Sequence, residues 1–253
     1  MPRYKLTIEY DGTGYAGWQK QPDHPSIQES IEAALQRFCG ETVEVCGAGR
    51  TDAGVHATAQ VAHVDLAKDW APYKVMQGIN FYLFSSDQEP PSHNRIAITK
   101  TEKVADDFHA RFSATRRYYV YRIINRRARL GLDAGRAWHV AEDLNAEMMQ
   151  EAANMLLGGH DFTSFRDSEC QAKSPEKTLD YLDIKRFGEE IRISTHARSF
   201  LHHQVRIMVG TLVQVGKGRW TAEDIKKALA AKNRSAAGPT APPEGLYLVG
   251  VAY

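Results

Sequence analysis

The chain has 253 residues, 43% hydrophobic and 25% charged, and its 32 basic and 31 acidic side chains leave a net charge of +1. That length carries a core without disulfide staples, and that composition excludes collagen-like, disordered and disulfide-scaffold chains. No run of 18 apolar residues exists, which excludes a spanning helix, and the start Met1-Pro2-Arg3-Tyr4-Lys5 lacks an apolar signal segment, so the expected compartment is the cytoplasm.

The first strand is predicted over 4–10, where Tyr4, Leu6, Ile8 and Tyr10 share one face. A glycine-rich turn, 11–18, follows. A helix begins at Ser26, which with Glu29 forms a capping-box pattern; Ile27, Ile31, Ala34, Leu35 and Phe38 make its apolar stripe and Gly40 ends it. A short strand is expected over 42–46. Gly47-Ala48-Gly49-Arg50-Thr51-Asp52-Ala53-Gly54-Val55-His56 is too glycine-rich for regular structure and reads as a shaped loop between strands. A strand over 59–66, a helix over 72–81, a surface loop over 85–94 and a strand over 95–100 come next. Residues 106–112 look irregular.

A strong strand spans 116–125, with Tyr119, Tyr121 and Ile123 on one face and Tyr118, Val120, Arg122 and Ile124 on the other. A helix follows Asp143, with Met148, Ala152, Met155 and Leu156 in register and Gly158-Gly159 as its stop. Strands are expected over 179–186 and 190–196, a heavily apolar helix over 199–215, a short helix capped by Thr221 with Asp224 at its third position, and a final strand over 246–251. Antiparallel neighbours with helices on one face make the class α+β, in two halves alike in element order, 1–105 and 106–253. Cys39, Cys46 and Cys170 form no C-x-x-C pair, which predicts reduced, mostly buried thiols instead of bridges or a zinc site.

Four constellations can carry chemistry. Asp52, beside Arg50 in its glycine-lined loop, suits an ionised carboxylate acting as nucleophile or base; an Asx-turn that only shapes the loop is the plain alternative. Asp52, His56, His63 and Asp65 offer metal-ligand atoms, and the first three are the basis of a metal-dependent nuclease reading, but no HExxH or cysteine pair accompanies them, and no metal is expected. Residues 111–136 hold eight arginines against one acid, Asp133, a local balance of +7 around Tyr119 and Tyr121. Stacking aromatics in an arginine field suit single-stranded RNA, although one tyrosine in the core and a solvated arginine edge would read the same way. Arg206, alone among apolar neighbours, needs an acidic partner: either a structural ion pair or a catalytic carboxylate that it orients. No P-loop, G-x-G-x-x-G after a strand or G-x-S-x-G occurs, which disfavours nucleotide cofactors and serine hydrolysis.

These pieces resemble the A family of tRNA pseudouridine synthases over nearly the whole length. The resemblance is carried by Glu9-Tyr10-Asp11-Gly12-Thr13 with Gly17-Trp18-Gln19, by Ala48-Gly49-Arg50-Thr51-Asp52-Ala53-Gly54-Val55-His56, and by Asp107-Phe108-His109-Ala110-Arg111-Phe112-Ser113-Ala114. Tyr119-Val120-Tyr121, His160-Asp161-Phe162-Thr163-Ser164-Phe165, Phe200-Leu201-His202-His203-Gln204-Val205-Arg206 with Gly210-Thr211-Leu212, and Glu244-Gly245-Leu246-Tyr247-Leu248-Val249 complete it. It implies two α+β halves joined in one continuous antiparallel sheet with a basic cleft, a homodimer, and isomerisation of uridine at positions 38 to 40 of the tRNA anticodon stem-loop without a cofactor. It implies that Asp52 is the catalytic aspartate, Tyr119 packs on the target base, Arg206 pairs with Asp52 and Arg50 helps displace the base. Gly49, Thr51, Arg111, Tyr121 and His202 are then expected on the substrate side. A non-catalytic tRNA-binding protein on the same fold is the other reading. Two departures stand out. The usual L-P-x-D-I pattern is lost where Asn80 and Leu83 are followed by Phe84-Ser85-Ser86-Asp87-Gln88-Glu89-Pro90-Pro91, and the usual Met before Val205 is Gln204.

Overall fold

The computed structural model describes residues 1–85 and 95–253. Two compact units make up the chain, one of residues 1–115 and 247–253, the other of residues 116–246. Each is α+β, with a mostly antiparallel sheet. Among the described residues there are five α-helices, and none is long and apolar enough to cross a membrane.

In the first unit β1 (Arg3–Tyr10) lies between β3 (His56–Asp65) and β4 (Ile96–Val104), antiparallel to both. Tyr4, Leu6, Ile8 and Tyr10 are buried on one side of β1, as their alternation requires. Arg3 and Asp65 face each other across β1 and β3, and a two-pronged ion pair of 2.7 Å per bond joins them. The short β2 (Cys46–Gly47) pairs with β3, and the C-terminal β10 (Leu246–Ala252) runs parallel to β3. Helices α1 (Ile27–Cys39) and α2 (Pro72–Phe84) pack on each other, and Phe38 of α1 meets Trp70, two residues before α2, with ring centres 4.9 Å apart.

In the second unit β5 (Arg116–Asn125), β9 (Glu190–Ala197), β8 (Glu176–Phe187) and β7 (Gly158–Asp161) form an antiparallel sheet in that order, with β6 (Trp138–Val140) parallel to β5. Helix α3 (Ala146–Ala153) packs on β8 and on α4 (Gln204–Gly216), and α5 (Ala222–Ala231) follows. Helix α4 is apolar nearly all round and correspondingly buried. The Thr221–Asp224 capping box forms at the start of α5.

Several expectations are corrected. The strand over 42–46 shrinks to β2, because only Cys46 and Gly47 find β3 as a partner. β3 starts at His56, which pairs with Tyr247 near the chain's end, and β4 runs on to Val104, since β1 offers paired backbone there. Helix α2 continues to Phe84. The loop over 85–94 lies, beyond Ser85, outside the described residues. Helix α3 is capped by Asn145, whose side chain takes the Met148 N–H at 2.9 Å; its buried face carries Met149, Ala152 and Ala153, while Met148 is 39% exposed. Helix α4 begins at Gln204, not Ser199, because His203 takes a left-handed backbone with φ of 60°. The cysteines are free but half-buried, and burial pushes the Cys39 and Cys46 thiols up.

Seven of the eight arginines of the stripe divide into two groups, and the half-buried Arg117 donates to Arg198 O at 2.6 Å. Arg122 grips Glu190 with Nε–Oε1 at 3.0 Å and Nη2–Oε2 at 3.2 Å and also reaches Asp133, while Arg126 pairs with Glu189 at 2.9 Å. Arg111, Arg116, Arg127, Arg129 and Arg136 are exposed. Arg122 holds the Glu190 carboxyl down to about 2, against the penalty of its own burial and with help from Arg192. A carboxyl lowered in the folded state stabilises the fold above its unfolded value of roughly 4.3, and that contribution fades as pH falls toward about 2. Acid titration should therefore show a larger loss of stability in that window for the wild type than for Glu190→Gln. Identical acid profiles of thermal melting for the two proteins would contradict the pairing.

Candidate active site

The aspartate loop of the first unit is fastened through its backbone. Ala48 N–H bonds Val61 O at 2.7 Å, Gln60 Nε2 donates to Gly49 O at 2.8 Å, and Trp18 N–H donates to Thr51 O at 3.0 Å. The Tyr10 and Thr51 hydroxyls share a buried hydrogen bond of 2.8 Å. Asp52 O accepts the Val55 N–H at 3.1 Å, closing a turn in which Gly54 takes φ of 77°. β1 changes register against β3 between Ile8 and Tyr10, which sets the Tyr10 ring over the loop.

The turn at 11–18 forms the loop's bed. A side chain on Gly12 would meet Val55 O at 2.1 Å, and one on Gly17 would meet Thr51 O at 2.5 Å, so both positions exist for close backbone approach. The same turn holds the start of α1. Gly17 O and Trp18 O accept the N–H groups of Ile27 and Gln28 at 3.1 and 3.0 Å, and Ser26 Oγ accepts that of Glu29 at 3.3 Å. Helix, turn and loop are thus one braced unit, with Asp52 half-buried on it and Arg50 exposed beside it. Among the described residues no atom crowds the place where Gly49 lacks a side chain, so its backbone is open to approach.

The histidines of the loop are anchors. His56 is 2% exposed; its Nδ1 accepts the Gly12 N–H at 3.0 Å and its ring stacks on Tyr247 at 4.8 Å. His63 Nδ1 accepts the Ala110 N–H at 3.2 Å, and burial, with Arg3 and His109 nearby, lowers its basicity. With Asp65 gripped by Arg3, three of the four residues with metal-ligand atoms, His56, His63 and Asp65, are engaged in holding the fold.

In the second unit Tyr119 is 9% exposed, with its ring edge-on to Phe200 at 5.3 Å. Tyr121 is fully buried, and its hydroxyl donates to Pro242 O at 2.7 Å. Burial first, then Glu244, pushes its phenol far up, with Arg206 opposing. A side chain on Gly245 would meet the Tyr121 ring at 2.5 Å, so Tyr121 braces the 242–245 segment and offers no face to a base. Arg206 is half-buried on α4, and its Nε donates to Ala241 O at 2.8 Å, which sets the plane of the guanidinium. His202 is exposed.

Sequence reasoning missed Asp167. Its Oδ2 meets His203 Nδ1 at 2.7 Å, and its N–H donates to His202 O at 3.1 Å. Its carboxyl is lowered by the Glu169 N–H and by His203, against burial. The pair holds His203 in its left-handed backbone, a state that costs roughly 1–2 kcal/mol. That residue stands three positions before Arg206, one turn of α4 away. No local pattern announces a pair 36 residues apart.

A family model described as tRNA pseudouridine synthase matches residues 6–113 and 152–253, which take in both Asp52 and Arg206. The chain belongs to the tRNA pseudouridine synthase family. Family members isomerise uridine to pseudouridine. Relatives named tRNA pseudouridine synthase A from Brucella ovis, Brucella suis biovar 1 and Brucella melitensis biotype 1 are each 57% identical over 253 residues, covering 100% of this chain and 98% of theirs.

Proposed function

We propose that this chain isomerises uridine to pseudouridine in the anticodon stem-loop of tRNA, at positions 38 to 40, with Asp52 as the catalytic carboxylate. The observation that carries this reading is the loop that bears Asp52: its backbone is tied at Ala48, Gly49, Thr51 and Asp52, which suits a charged side chain that must hold one position. The names of the relatives supply the RNA class.

The reaction breaks the N1–C1′ bond, forms a C5–C1′ bond, moves a proton off C5 and places one on N1. Nothing is imported and no oxidation state changes, so its stoichiometry calls for no cofactor. A stacked uridine must first leave the helix, at a cost of a few kcal/mol. Tyr119 offsets that by stacking on the base, worth about 1–3 kcal/mol, and exposed arginines such as Arg111 hold phosphates. Arg206 keeps Asp52 ionised, Arg50 helps displace the base, and Gly49, Thr51 and His202 face the substrate. Asp52 attacks C1′ or C6, or removes a proton to form a glycal. In this reading the N-terminal half brings the carboxylate and the C-terminal half the tyrosine and arginine. The two join in a continuous sheet with a basic cleft, and the protein works as a cytoplasmic homodimer.

Release of C5 tritium from labelled uridine in tRNA tests the activity, with mapping of pseudouridine to positions 38 to 40. Binding without release would make the chain a non-catalytic tRNA-binding protein; shortened RNA and loss of activity in EDTA would make it a nuclease. Arg206→Ala should lower kcat by about 10²-fold, as for removal of a preorganised charge partner. Arg206→Lys should restore little, because lysine lacks the planar fork. An unchanged kcat in Arg206→Ala would dissolve the proposed pair with Asp52.

A further inference from the structure

We infer that Phe112 is a stacking platform for an unpaired base of the RNA substrate, presented beside the aspartate loop by a rigid turn. Phe112 is 73% exposed, which is unusual for a phenylalanine, yet its turn is tightly built. His109 N–H donates to Ser113 Oγ at 3.0 Å, and Ser113 N–H returns to His109 O at 2.9 Å. His109 Nδ1 accepts the N–H groups of Arg111 at 3.1 Å and Phe112 at 3.4 Å. The His109 ring lies 4.4 Å from the Phe112 ring, and the Arg111 guanidinium sits 5.7 Å from its centre.

Other aromatic side chains are exposed, among them Phe81 and Phe187. Phe112 differs in what anchors it. Ala110 is fully buried in a cluster with Ala48 and Val61, and Ala48 opens the aspartate loop. The Ala110 N–H is held by His63, and its carbonyl by the Tyr253 hydroxyl at 3.0 Å. The ring is therefore tied to the same small core as the loop that bears Asp52.

Charge selects the occupant. From His109 to Arg117 the chain carries three arginines and no acid, which favours a polyanion with aromatic faces over an apolar peptide or a second copy of this basic turn. A base stacked on a pre-set aromatic gains without first ordering the side chain.

This inference rests on the proposed tRNA activity, and the two can fail separately. The full chain and its Phe112→Ala, Phe112→Leu and Phe112→Trp variants are compared for tRNA affinity, melting temperature and sedimentation. Phe112→Ala should weaken tRNA binding about tenfold with an unchanged melting temperature. Phe112→Leu should resemble it, because leucine keeps apolar bulk without a π face, and Phe112→Trp should bind at least as well as wild type. The ratio of wild-type to Phe112→Ala affinity should hold as salt is raised, since stacking releases no counterions, although both affinities fall. Wild-type affinity in Phe112→Ala, full rescue by leucine, or a change of oligomeric state in Phe112→Ala would each overturn the platform, the last assigning the ring to a contact between copies. A wild-type protein that neither binds nor modifies tRNA would overturn the activity, and the platform with it.

Discussion

Asp52→Asn is expected to lower pseudouridine formation by about 10³-fold or more while tRNA affinity stays within about twofold. Asparagine keeps the size and shape of the side chain. The bonds that hold the loop run through the backbone of Ala48, Gly49, Thr51 and Asp52 and through the Thr51 hydroxyl, and the substitution touches none of them. What it removes is the negative charge and the nucleophilic oxygen. Single-turnover tritium release gives the chemical step, and filter binding of tRNA gives the affinity. Turnover near that of the wild type would leave Asp52 as a residue that only shapes its turn.

Gly17→Ala should both destabilise the first unit and slow the enzyme. The backbone at Gly17 has φ of 102°, where a side chain is strained, and the new Cβ would lie 2.5 Å from Thr51 O and 3.0 Å from the Asp52 carbonyl carbon. Strain and overpacking together come to about 3 kcal/mol, a fall in melting temperature of about 10 °C. Relief of the clash requires the Thr51 carbonyl to move, and Asp52 moves with it. A displacement near 1 Å costs on the order of 10²-fold in rate. Gly40→Ala is the matched control. Gly40 has φ of 78° and open space around it, so the variant carries the backbone strain alone and should lose about 1 kcal/mol with an unchanged kcat. Calorimetric melting and kcat measured below both transitions separate the two effects; equal behaviour of the two variants would mean that the bed under the loop does not position Asp52.

The elements legible in the sequence are those whose signal is local. The alternation in 116–125 marks β5 at its observed ends, Arg116 and Asn125, because period-two burial is written into the side chains themselves. Ser26 and the Thr221–Asp224 pair announce helix starts for the same reason: a cap bonds to backbone three residues away. The shaped loop around Asp52 was legible through its glycines. The short strands β2, β6 and β7 were not read in place, since a two- to four-residue strand exists only when a longer neighbour supplies its hydrogen bonds.

By itself, then, the sequence determined the α+β class, the main strands and helices, and the motif that places the chain in its family. The tertiary structure alone decided partners. His203 is held by Asp167, 36 residues before it, and so α4 starts five residues later than its apolar run suggests. Arg122 goes to Glu190, 68 residues on, and leaves the arginine stripe for the fold. His56 and His63 become acceptors for backbone N–H groups, and Tyr121 becomes a buried brace. Periodicity and caps act within a few residues of the chain, whereas a charge or a ring takes its role from whatever the folded backbone sets beside it, and that distance is measured through space.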